Sequence, residues 1–183
     1  QLERIERQVI KNVDNSNFYA NMIVHYQMPA AQQQLAESFP AMVEATEGYL
    51  AQMLAICENL EPNDLVGVAK EDVLTAMNNY IDAVRTVQAQ GSEVARLYLA
   101  GDPEASANAN NGATKNIEAL TAAETALNDT IILAAENLIA QKQTNVANYS
   151  FIAEKMFFVF IGAVIRAVRI NNKSFKRIGF KSR

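Results

Sequence analysis

One cysteine, one histidine and no tryptophan occur in 183 residues, and each scarcity removes a class of chemistry. With Cys57 alone, no intramolecular disulfide, CxxC redox pair or cysteine zinc site can form. With His25 alone, the paired Glu-x-x-His ligands of a di-iron bundle are missing and a zinc or haem site is short of ligands, so no metal and no cofactor is expected. Seven glycines and four prolines give too little turn chemistry for a many-stranded sheet. No GxGxxG, phosphate-loop, GxSxG or HExxH run is present, and the reading is non-enzymatic.

What is present is hydrophobic content of 50% arranged in heptads. One seam runs Leu35, Phe39, Met42, Thr46, Tyr49, Met53, Ile56, Leu60, with Thr46 its one polar member. Another runs Val73, Met77, Tyr80, Val84, Val87, Gly91, Val94, Tyr98. A weaker one, Leu2, Ile5, Val9, Asn12, Ser16, Tyr19, Ile23, Tyr26, loses phase before Pro29. The last, Ile117, Leu120, Glu124, Leu127, Ile131, Ala134, Leu138, continues toward Tyr149. Glu61-Pro62-Asn63-Asp64 and Gly101-Asp102-Pro103-Glu104 punctuate the seams; in the second, Gly stops one helix, Asp caps the next and Pro stands at its first position. Pro40 leaves two possibilities: the second helix starts near Ser38, or it bends there. The expected fold is all-α, an antiparallel up-and-down four-helix bundle with the last helix running toward a membrane segment, stiff over 104–165 because no proline follows Pro103.

Charge divides the chain in the same place as hydropathy. Residues 1–150 hold 8 Lys/Arg and 19 Asp/Glu, net −11, whereas 151–183 hold 8 Lys/Arg and 1 Asp/Glu, net +7. Between them lie Phe157, Phe158, Val159, Phe160 and Ile161, apolar on every side of a helix and followed by Arg166, Arg169 and Lys173. Basic residues are retained on the cytoplasmic flank of a membrane segment, so the order reads outside, membrane, inside. The uncharged stretch Met156–Ile165 is ten residues, half of the ~20 that span a bilayer. The expected division is a helical bundle outside the membrane over 1–150, the start of a transmembrane or membrane-proximal helix over 151–165 and a basic tail over 166–183. The acidic bundle argues against nucleic acid as a partner. The chain opens on Gln1-Leu2-Glu3-Arg4 with no apolar signal region, which fits a first span lying upstream.

Asn12 and Ser16 occupy seam positions where apolar residues are expected; such polars either line a ligand pocket or fix helix register. Arg85 and Arg96 stand among apolar or small residues, where a guanidinium can clamp a ligand carboxylate or pair with Asp82 and Glu93 three residues away.

With its heptad helices, the stretch Gly91-Ser92-Glu93-Val94-Ala95-Arg96-Leu97-Tyr98-Leu99-Ala100-Gly101-Asp102 and a last helix Asn137-Leu138-Ile139-Ala140-Gln141-Lys142-Gln143 leading into an apolar span, the chain resembles the four-helix-bundle ligand-binding domain of bacterial methyl-accepting chemotaxis proteins. The resemblance covers roughly residues 1–165. It implies a periplasmic or extracellular sensor in an inner-membrane homodimer, which binds a small molecule and passes the event inward by displacing its last helix. Two departures stand out: Arg166 interrupts the second span, and the tail lacks the signalling hairpin. Outside that resemblance, a scaffold bundle docking a protein partner is the main alternative, and a pore-former the third.

Overall fold

The computed structural model describes the backbone of residues 2–179 and the side chains of residues 2–61, 63–157 and 159. Among the described residues all regular structure is helical: α1 (Leu2–His25), α2 (Pro29–Glu58), α3 (Lys70–Leu99), the short α4 (Pro103–Ala109) and α5 (Ala113–Gly179), with 3-10 turns at Pro62–Asp64 and Asn110–Gly112. The chain forms two compact units, Gln1–Asn137 and Leu138–Arg183.

Local chemistry sets the helix ends. Pro29 opens α2 at a position where its missing N–H costs nothing, after Met28 in extended conformation. Gly101 (φ +81°) takes the left-handed turn that closes α3, and the Asp102 carboxylate accepts the Ala105 N–H at 2.9 Å. Of the two possibilities that Pro40 leaves, the start near Ser38 falls: helix α2 starts at Pro29 and carries Pro40 in its interior. One feature differs from the sequence reading. The expected unbroken rod over 104–165 is interrupted, because Asn110-Asn111-Gly112 are poor helix formers and adopt a 3-10 turn between α4 and α5.

The first unit packs α1, α2, α3 and the start of α5 around two separate apolar clusters. One contains Ile5, Val9 and Val13 of α1, Leu50, Met53 and Cys57 of α2, Val73, Met77, Tyr80 and Val84 of α3, and Leu120 and Leu127 of α5. The other contains Ala20 and Ile23 of α1, Ala36 and Phe39 of α2, and Val94 and Ala95 of α3. On three helices the gap between clusters is filled by a polar residue without solvent access: Ser16, Thr46 and Gln88. At the edge of that gap Gly91 admits the Phe39 ring, since a Cβ at position 91 would lie 2.6 Å from Phe39 Cε1. Cys57 is buried in the first cluster as a plain packing residue, and burial pushes its thiol up.

In the second unit Ile139, Val146, Tyr149, Phe151, Ile152, Met156, Phe157 and Val159 are all more than half exposed. The Lys155 ammonium lies 4.3 Å from the centre of the Phe151 ring, one helical turn back. Among the described residues no helix is long and apolar enough to cross a membrane. The side chains of Phe158, Phe160 and Ile161, central to the expected membrane segment, lie outside the described residues, as do residues 180–183 of the basic tail.

Candidate functional site

Of the seam polars of α1, Asn12 reaches α2 and Ser16 bonds within its own helix. Asn12 Nδ2 donates to Thr46 Oγ1 at 3.1 Å, and Thr46 donates in turn to the Met42 carbonyl at 2.8 Å. Ser16, fully buried, donates to the Asn12 carbonyl at 2.9 Å. These bonds satisfy the α1 and α2 members of the polar layer. The α3 member is different: Gln88 is 2% exposed, and among the described residues neither its Nε2 nor its Oε1 has a hydrogen-bond partner. An orphaned buried amide is costly, so the layer is the weak plane of the bundle interior.

Beside Ser16 is a void of about 10 Å³, room for one water molecule, lined by Ser16, Asn17, Gln90, Gly91 and Asn110. Asn110 donates to Asn21 Oδ1 at 2.9 Å, while its own buried Oδ1 has no partner among the described residues. Gln90 ties the same region together, donating to the Ala109 carbonyl and accepting from Asn116. The break at 110–112 is therefore anchored to α1 and α3 by side-chain amides.

Between α2 and α3 a cleft of about 520 Å³ opens over the second cluster, within the size range of small-molecule sites. Its walls are Ala36, Phe39, Pro40 and Val43 from α2 and Ala95 and Leu99 from α3, with Glu44, Ser92 and Arg96 also lining it. Pro40 has no N–H, so α2 lacks the backbone hydrogen bond to the Ala36 carbonyl one turn earlier. A hollow of about 600 Å³ also runs along α5 past Ile117, Thr121, Thr125 and Asp129. A hollow lined by one helix has no second wall to enclose a ligand, so the α2/α3 cleft is the stronger candidate.

The two arginines part company. Arg85 binds Glu47 of α2 through two hydrogen bonds, Nε at 2.8 Å and NH2 at 2.7 Å, rather than pairing with Asp82. That fork holds the Glu47 carboxyl below its ordinary range and bridges two helices, yet both side chains are exposed, which limits its worth to under about 1 kcal/mol. Arg96 grips Glu93 by two hydrogen bonds of 2.7 Å on the helix surface and lines the cleft. Asn12 and Ser16 thus sit in the polar layer, Arg96 in the cleft, and Arg85 in neither. His25 is exposed at the end of α1.

Sequence reasoning passed over Glu6. It is half-buried beside Glu124 of α5, and burial first, then the Glu124 charge, raise its carboxyl above the ordinary value, against the opposing hydrogen bond from Asn128. Burial likewise pushes the Tyr80 phenol up, with the charges of Glu6 and Glu124 adding to it. A raised acid favours folding while protonated, so this stability is present at low pH and lost as pH rises through the raised value. Glu6→Gln, facing Glu3, Glu124, Tyr80 and Asn128, is expected to stabilise the chain at neutral pH and to lose that advantage below the ordinary glutamate value of 4.5. Urea unfolding at both pH values checks it; an advantage that grows on acidification would contradict the assignment.

No protein-family model, curated protein or solved structure matches the chain. Among the described residues no group of three or more His, Cys, Asp or Glu is placed to hold a metal ion.

Proposed function

We propose that the chain is the extracytoplasmic ligand-sensing domain of a bacterial transmembrane chemotaxis receptor, acting as a homodimer in the inner membrane and without enzymatic activity. The observation that carries this reading is the change of character along α5: it begins in the packed core with Leu120 and Leu127, then presents exposed apolar residues from Ile139 to Val159, then gives way to the basic tail. An antiparallel up-and-down order of the long helices is supported by the cluster membership. The start of α1, the end of α2 and the start of α3 share one cluster, and their opposite ends share the other.

In this reading a small molecule in the α2/α3 cleft alters the spacing of those helices. The polar layer lets one cluster rearrange without breaking the other, and α5 carries the shift toward the bilayer. The rod begins at Ala113 and is fastened to α1 and α3 by the amides around Asn110. The exposed apolar side chains of α5 equally suit the second reading, a scaffold bundle that docks a protein partner.

Flotation with lipid vesicles separates the two. In molar salt, which screens the basic tail, the full chain is expected to rise with the vesicles, and the triple variant F157E/F158E/F160E to stay behind. Failure of the native chain to float would remove the membrane half of the reading and favour the scaffold.

A further inference from the structure

The α2/α3 cleft carries an unbalanced charge, and the imbalance names a ligand class. Arg96 is already neutralised by Glu93, whose two oxygens accept from Nε and NH2. Glu44, across the cleft on α2, makes no hydrogen bond and no ion pair with any described residue. The free charge is therefore negative. The bundle's net −11 over 1–150 biases the surrounding field toward cations. The apolar floor of Phe39, Val43 and Leu99 asks for a hydrocarbon body.

We infer that this cleft binds a small organic ammonium, with its charged head at Glu44 and its apolar body over Phe39 and Leu99. The assignment rests on the ligand-sensing reading; of the two roles open to Arg96 it takes the pairing with Glu93, and the carboxylate opposite does the selecting. Because Glu44 is exposed, burial of the body supplies most of the affinity and the carboxylate supplies the preference for positive charge.

Hexylamine and hexanoate share a body and differ in the sign of the head, so calorimetric titration of the full chain with each at low salt tests the inference. Hexylammonium is expected to bind more tightly, Glu44→Gln to weaken it about threefold without weakening hexanoate, and Glu44→Lys to invert the order. Ser92→Phe, which fills the cleft, is expected to abolish binding of both. Position 44 is exposed, so its variants stay informative even where Ser92→Phe perturbs folding. Equal or tighter binding of hexanoate would overturn the charge assignment, and ammonium binding that survives Ser92→Phe in a folded chain would overturn the location. A different compound that stabilises the chain regardless of Ser92→Phe would likewise overturn the cleft but leave the sensing reading standing.

Discussion

Phe39→Ala lowers the unfolding free energy by about 4 kcal/mol, the cost of emptying an aromatic site in a core that cannot fully collapse. Phe39 is 1% exposed, anchors the second cluster, meets the Tyr19 ring edge-on at 6.3 Å and forms the floor of the cleft. The loss is read from chemical denaturation of the full chain; a change below about 1 kcal/mol would mean that the ring is not packed as described. The same ring decides the sign of a change at Gly91. In the native background Gly91→Ala drives a Cβ to 2.6 Å from Phe39 Cε1, and overpacking of about 1–3 kcal/mol outweighs the helix-propensity gain of about 1 kcal/mol. With Phe39→Ala already in place the collision is gone, and Gly91→Ala becomes stabilising. A double-mutant cycle reads this reversal as a coupling energy, and additivity within about 0.5 kcal/mol would refute the contact.

Gln88→Met raises stability by about 2 kcal/mol. The substitution keeps an unbranched side chain of similar length and removes an amide that is 2% exposed, both of whose polar atoms lack a partner among the described residues. The gain joins the two apolar clusters across α3. If the polar layer lets the clusters move separately, the variant also becomes stiffer: hydrogen exchange of amides in the second cluster slows toward that of the first. Unchanged or reduced stability would show that the amide is satisfied in solution.

Much of the helical framework is legible in the sequence because packing repeats faithfully along α3: every seam residue from Val73 to Val94, Gly91 included, is buried. On α2 three seam positions are displaced by one residue: Ala36, Leu50 and Cys57 are buried while Leu35, Tyr49 and Ile56 are only partly so, and Phe39, Thr46 and Met53 are buried as the seam predicts. Asn12 and Ser16 announce themselves by breaking a seam, and Thr46 breaks the facing one, so the meeting of Asn12 with Thr46 was within reach of sequence reasoning. Gln88 was not, since Val87 beside it satisfies the heptad and only the third neighbouring helix decides that both turn inward. The Arg85–Glu47 bridge is hidden for the same reason: spacing reveals partners on the same helix, such as Glu93 for Arg96, and is silent about those across a groove. The cleft sets Pro40 of α2 against Ser92 and Ala95 of α3, a juxtaposition that no one-dimensional pattern contains.

Ligand sensing is the centre of this account, and the measurement that addresses it most directly is thermal unfolding of the full chain across a panel of amines, amino acids, organic acids and neutral metabolites. A ligand present at 100 times its dissociation constant stabilises the fold by about 2.7 kcal/mol, a rise in Tm of about 8 °C for a domain of this size. The account predicts such a rise with one chemical class, led by amines with an apolar body. A flat response to every compound would contradict it and leave a helical bundle built to hold another protein.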